Sequence, residues 1–189
     1  MATKTKPRSS EATWLQNMAL RLSRVHFFLL VAFTGYVLTS DAWNLVTREL
    51  TWWRWEILGS SLVVCTIIWY LARGIVHNLN YYRALILGLI VMDIALATFL
   101  VYTERGMASR GVMFYALPIG VSVALMNRSA IFGTAILSTA AYVLAATRYF
   151  YVYFNEGTKA ELYTTVGLYC ASFFILAAVL WVVVTPDKP

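Results

Sequence analysis

The chain has 189 residues, 60% of them hydrophobic and only 13% charged, with a mean hydropathy of +0.68 and a formal net charge of +6. A soluble domain runs at about 45–50% apolar and about 25% charged, so a water-soluble core of this length could not hide that much apolar surface. The two cysteines imply no disulfide framework, and the sequence has no CxxC, no HExxH and no Gly-rich phosphate loop; the signatures of metal, redox and nucleotide chemistry are missing, and no cofactor is expected.

Residues 1–9 read as a disordered basic tail. SSEATWLQNMALRLSR (Ser9 to Arg24) then offers Ser10 as an N-cap, with Trp14, Leu15, Met18, Leu22 and Val25 at helical spacing beside Gln16, Asn17, Arg21 and Arg24. That pattern predicts a short helix lying on the inner leaflet. Six apolar runs of membrane-crossing length follow: Arg24–Trp43, Trp55–Arg73, Arg83–Tyr102, Gly111–Met126, Ala130–Phe154 and Leu162–Val184. None alternates at period 2 as a membrane barrel strand would, so helices are predicted. The connections are short, notably Glu104 to Arg110, Asn127-Arg128-Ser129 and Asn155 to Glu161. Short loops make successive helices antiparallel neighbours and leave no room for an extramembrane domain. The expected fold is all-α: a six-helix integral membrane bundle over 10–184, with 185–189 a tail or the start of a linker.

Orientation follows from the basic residues at helix ends. With the N-terminus inside, the inner segments hold Lys4, Lys6, Arg8, Arg21, Arg24, Arg73, Arg83, Arg128 and Lys188 against Glu11 and Asp187. The outer segments hold Arg48, Arg54, Arg105, Arg110, Arg148 and Lys159, balanced by Asp41, Glu49, Glu56, Glu104, Glu156 and Glu161. Both termini are expected in the cytoplasm, and the positive charge is a topology signal that gives no reason to invoke nucleic acid.

At the start of the second span, Trp52, Trp53 and Trp55 are expected at the outer interface, where an indole keeps one edge in lipid and its N–H near water. Arg54 is expected to snorkel beside them, and RYFYVYF (Arg148 to Phe154) forms a second outer belt. A ligand mouth lined by these indoles is the alternative reading. Asp93 lies ten residues into the third span, near the midplane, where a charge costs about 2.5–3.5 kcal/mol on insertion scales. It is expected to be neutral and hydrogen-bonded among polar groups at similar depth, which include Thr34, Tyr36, Ser122, Ser138, Thr139 and Tyr142. Pro118 adds an acceptor by releasing the carbonyl of Phe114. A clamp between helices and a ligand-, ion- or proton-sensing site are both open for this set. Cys65 and Cys170 behave as small apolar groups. His26 and His77 fall near the inner interface, too isolated to argue for haem.

FYALPIGVSVALMNRSAIFGTAILSTAAYVLAATRYF (Phe114 to Phe150) carries a Leu117-Pro118-Ile119 step, an Asn127-Arg128-Ser129 inner turn and an alanine-rich helix from Ala130. This run, and the plan of a basic inner tail with six spans, resembles the N-terminal membrane sensor regions of prokaryotic histidine kinases. The resemblance implies a dimeric sensor module whose last helix passes a ligand or membrane signal to a cytoplasmic kinase or other output domain in cis. The implied partners are the bilayer, a second copy of the chain and an unidentified small ligand or lipid. After Val184 there is no coiled-coil linker, phosphoacceptor helix or ATP-binding domain, so the expectation is a sensor portion of a longer receptor or a free-standing protein with a separate partner. A small transporter or channel, or a membrane assembly subunit, is the alternative. An intramembrane enzyme would want a second catalytic group at the depth of Asp93, and neither histidine lies there.

Overall fold

The computed structural model describes residues 7–43, 47–74, 76, 78–153 and 158–183. Nearly all of those residues are helical, and none is in a strand. Six α-helices are formed: α1 (Pro7–Ala42), α2 (Arg48–Arg73), α3 (Leu79–Thr103), α4 (Ala116–Ser122), α5 (Arg128–Tyr153) and α6 (Lys159–Val183). All but α4 are long and apolar enough to cross a membrane.

Two expectations change. The interfacial helix and the first span are one unbroken helix of 36 residues. The helix starts at Pro7, whose missing N–H costs nothing in a first turn; the rest of the expected tail, residues 1–6, lies outside the described residues. Nothing between Arg21 and Val25 breaks helical bonding, and Ser23 Oγ–H instead donates to the carbonyl of Ala19 (2.8 Å). The fourth span is also not one regular helix. A 3-10 turn over Arg110–Tyr115 leads into α4, and a second over Val123–Leu125 ends it. Pro118 cannot donate to the carbonyl of Phe114, which favours the tighter, more extended 3-10 winding before it. At about 2.0 Å per 3-10 residue and 1.5 Å per α residue, Arg110–Leu125 still reaches ~28 Å, close to a hydrocarbon core.

The chain divides into two compact units, residues 1–89 and 90–189, with α3 contributing to both. In the first unit α2 buries Thr51, Arg54, Leu58, Ser61, Cys65, Ile68 and Ala72. These positions step by three and four, the repeat of a left-handed helix pair. α1 answers with Leu15, Ala19, Ser23, His26, Leu30, Phe33, Val37 and Ser40. Three contacts fix the antiparallel register: Gln16 Nε2–H to the carbonyl of Ala72 (3.1 Å), Cys65 Sγ–H to the carbonyl of Ser23 (3.4 Å), and Arg54 against Tyr36. The carbonyls that α2 leaves open at its C-terminus are met locally. Tyr81 Oη–H donates to Leu71 (3.2 Å), Tyr82 Oη–H to Gly74 (2.7 Å) and Gln16 also to Gly74 (3.3 Å).

In the second unit the chain leaves α3 through Arg105 and Gly106, both left-handed at φ 78° and 59°. Glycine is needed at 106 because a Cβ there would sit 2.5 Å from the ring of Tyr149. Gly111 presses as closely on Leu100, where a Cβ would come within 2.8 Å. With Gly106 against Tyr149 and Tyr115 against Tyr142 (5.9 Å), the segment from Gly106 through α4 runs antiparallel to α5. α6 pairs antiparallel with α5 through Tyr169 and Phe173 on Tyr142 and Trp181 on Phe132.

Candidate functional site

Asp93 is 3% exposed on α3, on a stripe with the buried Leu89, Leu96, Ala97 and Leu100. Of the polar set expected around it, Thr34 and Tyr36 lie in the first unit, and Pro118, Ser122, Ser138, Thr139 and Tyr142 in the second. Two of these donate inside their own helix: Thr34 Oγ1–H to Leu30 (2.7 Å) and Ser122 Oγ–H to Ile119 (2.6 Å). Such back-bonding to a carbonyl one turn away uses the hydroxyl's proton and leaves it only as an acceptor. Tyr36 is half-exposed and stacks on Phe33 (6.0 Å). Pro118 is buried in the segment that runs along α5.

What is left is a stripe on α5. The hydroxyl oxygens of Ser138, Thr139 and Tyr142 are all shielded from solvent and have no hydrogen-bond partner among the described residues. Ser138 and Tyr142 are fully buried. A helical tyrosine leans back over the residues three and four positions before it, which are Thr139 and Ser138, so the three hydroxyls share one patch. Around the Tyr142 ring stand Tyr115 (5.9 Å), Tyr169 (5.7 Å) and Phe173 (5.9 Å), mostly edge-on. Tyr115 is itself tied to α3, its Oη lying 2.8 Å from Thr98 Oγ1. A buried hydroxyl without a partner costs about 1–3 kcal/mol, which makes Ser138, Thr139 and Tyr142 the polar groups of α5 with the most bonding capacity left over among the described residues. The sequence does not mark Tyr115, Thr98 or Phe173. Their signal is weak, because an aromatic or threonine in an apolar run looks the same whether it faces lipid or protein.

The tryptophan cluster resolves into two faces. Trp52, Trp53 and Trp55 point outward, with Trp52 63% exposed, as rings at a membrane boundary would. Arg54 does not snorkel beside them: it is 2% exposed and sits over Tyr36, 5.3 Å from the ring centroid. The three-four register of α2 turns position 54 toward α1, and register outweighs charge here because the Tyr36 ring offers a cation–π contact. Arg148 remains exposed and lies 6.0 Å from the ring of Tyr102. Beside the indoles is an open cleft of about 330 Å³ lined by Asp41, Arg48, Thr51, Trp52 and Trp55.

His26 is buried in the first unit with Nδ1 2.7 Å from the carbonyl of Leu22, while His77 lies outside the described residues. Among the described residues no group of His, Cys, Asp and Glu could hold a metal ion. Compared with protein-family models, with curated proteins and with solved structures, the chain matches none.

Proposed function

We propose that the chain is a multi-pass protein of the cell membrane, both termini inside, acting as a non-catalytic sensor module of the histidine-kinase receptor type. In this reading a small polar ligand or lipid group engages the hydroxyl patch of α5, and α6 carries the response to an output domain as one of a pair of copies. The observation that supports it is the manner in which α6 is held. α6 buries only Leu162, Phe173 and Ala177, and Phe173, with its neighbour Tyr169, meets α5 at Tyr142. Whatever satisfies the Tyr142 hydroxyl therefore acts next to the anchor of the most loosely packed long helix. An occupant with different affinity for two packings of that anchor would shift α6 between them.

The test joins the catalytic region of a histidine kinase, in helical phase, after Val183 and reads autophosphorylation in membranes. Ser138→Ala combined with Tyr142→Phe is expected to change the rate by about fivefold or more, the size of an ordinary coupling between sites. A rate unmoved by these and by Phe173→Leu would defeat the reading. Dimer contact is read separately by single-cysteine cross-linking: Ile175, Val179 and Val182, exposed on α6 at heptad spacing, should cross-link between copies, and Ala177 should not.

A further inference from the structure

The cleft beside the tryptophans takes no part in the sensing patch, and its lining is chemically distinctive. Asp41 closes α1 and Arg48 opens α2, so a carboxylate and a guanidinium face one space. Both are exposed, as a site filled from the membrane surface requires. Two indoles, Trp52 and Trp55, line the cleft, and indole faces attract organic ammonium groups better than any other side chain. Thr51 is buried and donates its hydroxyl to the carbonyl of Thr47 (3.3 Å), while Thr47 Oγ1 accepts from the N–H of Leu50 (3.4 Å). The N–H groups of Arg48 and Glu49, at the start of the helix, have no intrahelical acceptor. The positive end of the α2 dipole thus lies beside the Arg48 side chain.

An anion alone would be repelled by Asp41, and a cation alone by Arg48. The lining instead matches a molecule that carries both charges a few ångströms apart. We infer that this cleft binds the headgroup of a zwitterionic phospholipid, its phosphate on Arg48 and the first turn of α2, its ammonium between Asp41 and the indoles. A volume of about 330 Å³ is at the lower end of ligand pockets, enough for a phosphoethanolamine or phosphocholine group with its glycerol. The acyl chains then run down beside the outward rings of Trp52 and Trp55. This site rests on membrane embedding and not on the signalling role proposed above.

Native mass spectrometry of the full chain in mild detergent tests it, titrating phosphatidylethanolamine against phosphatidylglycerol with the same acyl chains. The wild-type protein should retain the zwitterionic lipid over the anionic one by about fivefold, and Arg48→Gln should lower retention of the zwitterionic lipid by about tenfold. Asp41→Asn should reverse the preference toward phosphatidylglycerol, because the remaining cation and helix dipole favour a bare anion. Trp53→Phe, outside the cleft, should keep the wild-type ratio and shows that any change is local. Equal binding of both lipids, or an Asp41→Asn ratio like wild type in a protein with an unchanged melting curve, would overturn the inference. Displacement of the lipid by equimolar glycerophosphoethanolamine would overturn it too, since the ligand would then be a soluble zwitterion.

Discussion

The two compact units differ in how their helices are held and in where their polar groups lie. In the first, α1 and α2 lock at three-four spacing over their length, and the open carbonyls at the end of α2 are met by Gln16, Tyr81 and Tyr82. In the second, a stretched segment, an aromatic cluster and α6 surround three hydroxyls that have no hydrogen-bond partner among the described residues. The second holds α6 at few buried points, Leu162, Phe173 and Ala177, and the proposed sensing role rests on that looser hold.

Glycines offer the strongest way to break this contrast. Gly106→Ala adds a Cβ against the Tyr149 ring at a left-handed residue and should cost about 3 kcal/mol or prevent folding, read as loss of the cooperative melt in detergent. Gly35→Ala and Gly59→Ala, in the first unit with open space at each, serve as its controls and should stay within about 0.5 kcal/mol of wild type. The two arginines that sit against tyrosine rings come next. Arg54→Ala should lose about 2 kcal/mol by removing a buried, packed guanidinium, whereas Arg148→Ala, exposed in the second unit, should lose under about 0.5 kcal/mol. Equal losses would show that the two cation–π contacts do the same job.

A smaller and more diagnostic effect is expected at the α5 stripe. Tyr142→Phe removes an unpartnered hydroxyl, so it should be neutral or stabilising by up to about 1 kcal/mol in a lipid-free preparation. Destabilisation instead would mean that the patch is already occupied. Smallest of all should be Trp53→Leu, an exposed ring, whose melting curve should match wild type within about 0.5 kcal/mol.

Length and apolarity made the helices legible, and Asp93 could be read as buried because a carboxylate facing lipid is costly. The face each helix turns inward could not be read. In water a buried stripe stands out against a polar one, but in lipid both faces are apolar. Arg54 shows the consequence: its neighbours argued for snorkelling, and the phase of α2 placed it inward. The broken fourth segment carried a signal in Pro118 and in Gly106 and Gly111, yet hydropathy alone reads it as a plain span. Nor does the sequence mark where a surface helix passes into a span. Ser10 makes a good N-cap, yet the helix begins at Pro7 and continues to Ala42.

That continuity has a mechanical meaning. At 1.5 Å per residue the 36 residues of α1 form a rod of ~54 Å, longer than a hydrocarbon core of about 30 Å. No proline follows Pro7, and the single glycine, Gly35, sits within unbroken helix, so the two ends move together. A tilt of about ten degrees about one end carries the other through roughly 9 Å. Asp41, in the headgroup cleft, and Glu11, which pairs with Arg83 at 3.4 Å, are the two ends of that one lever.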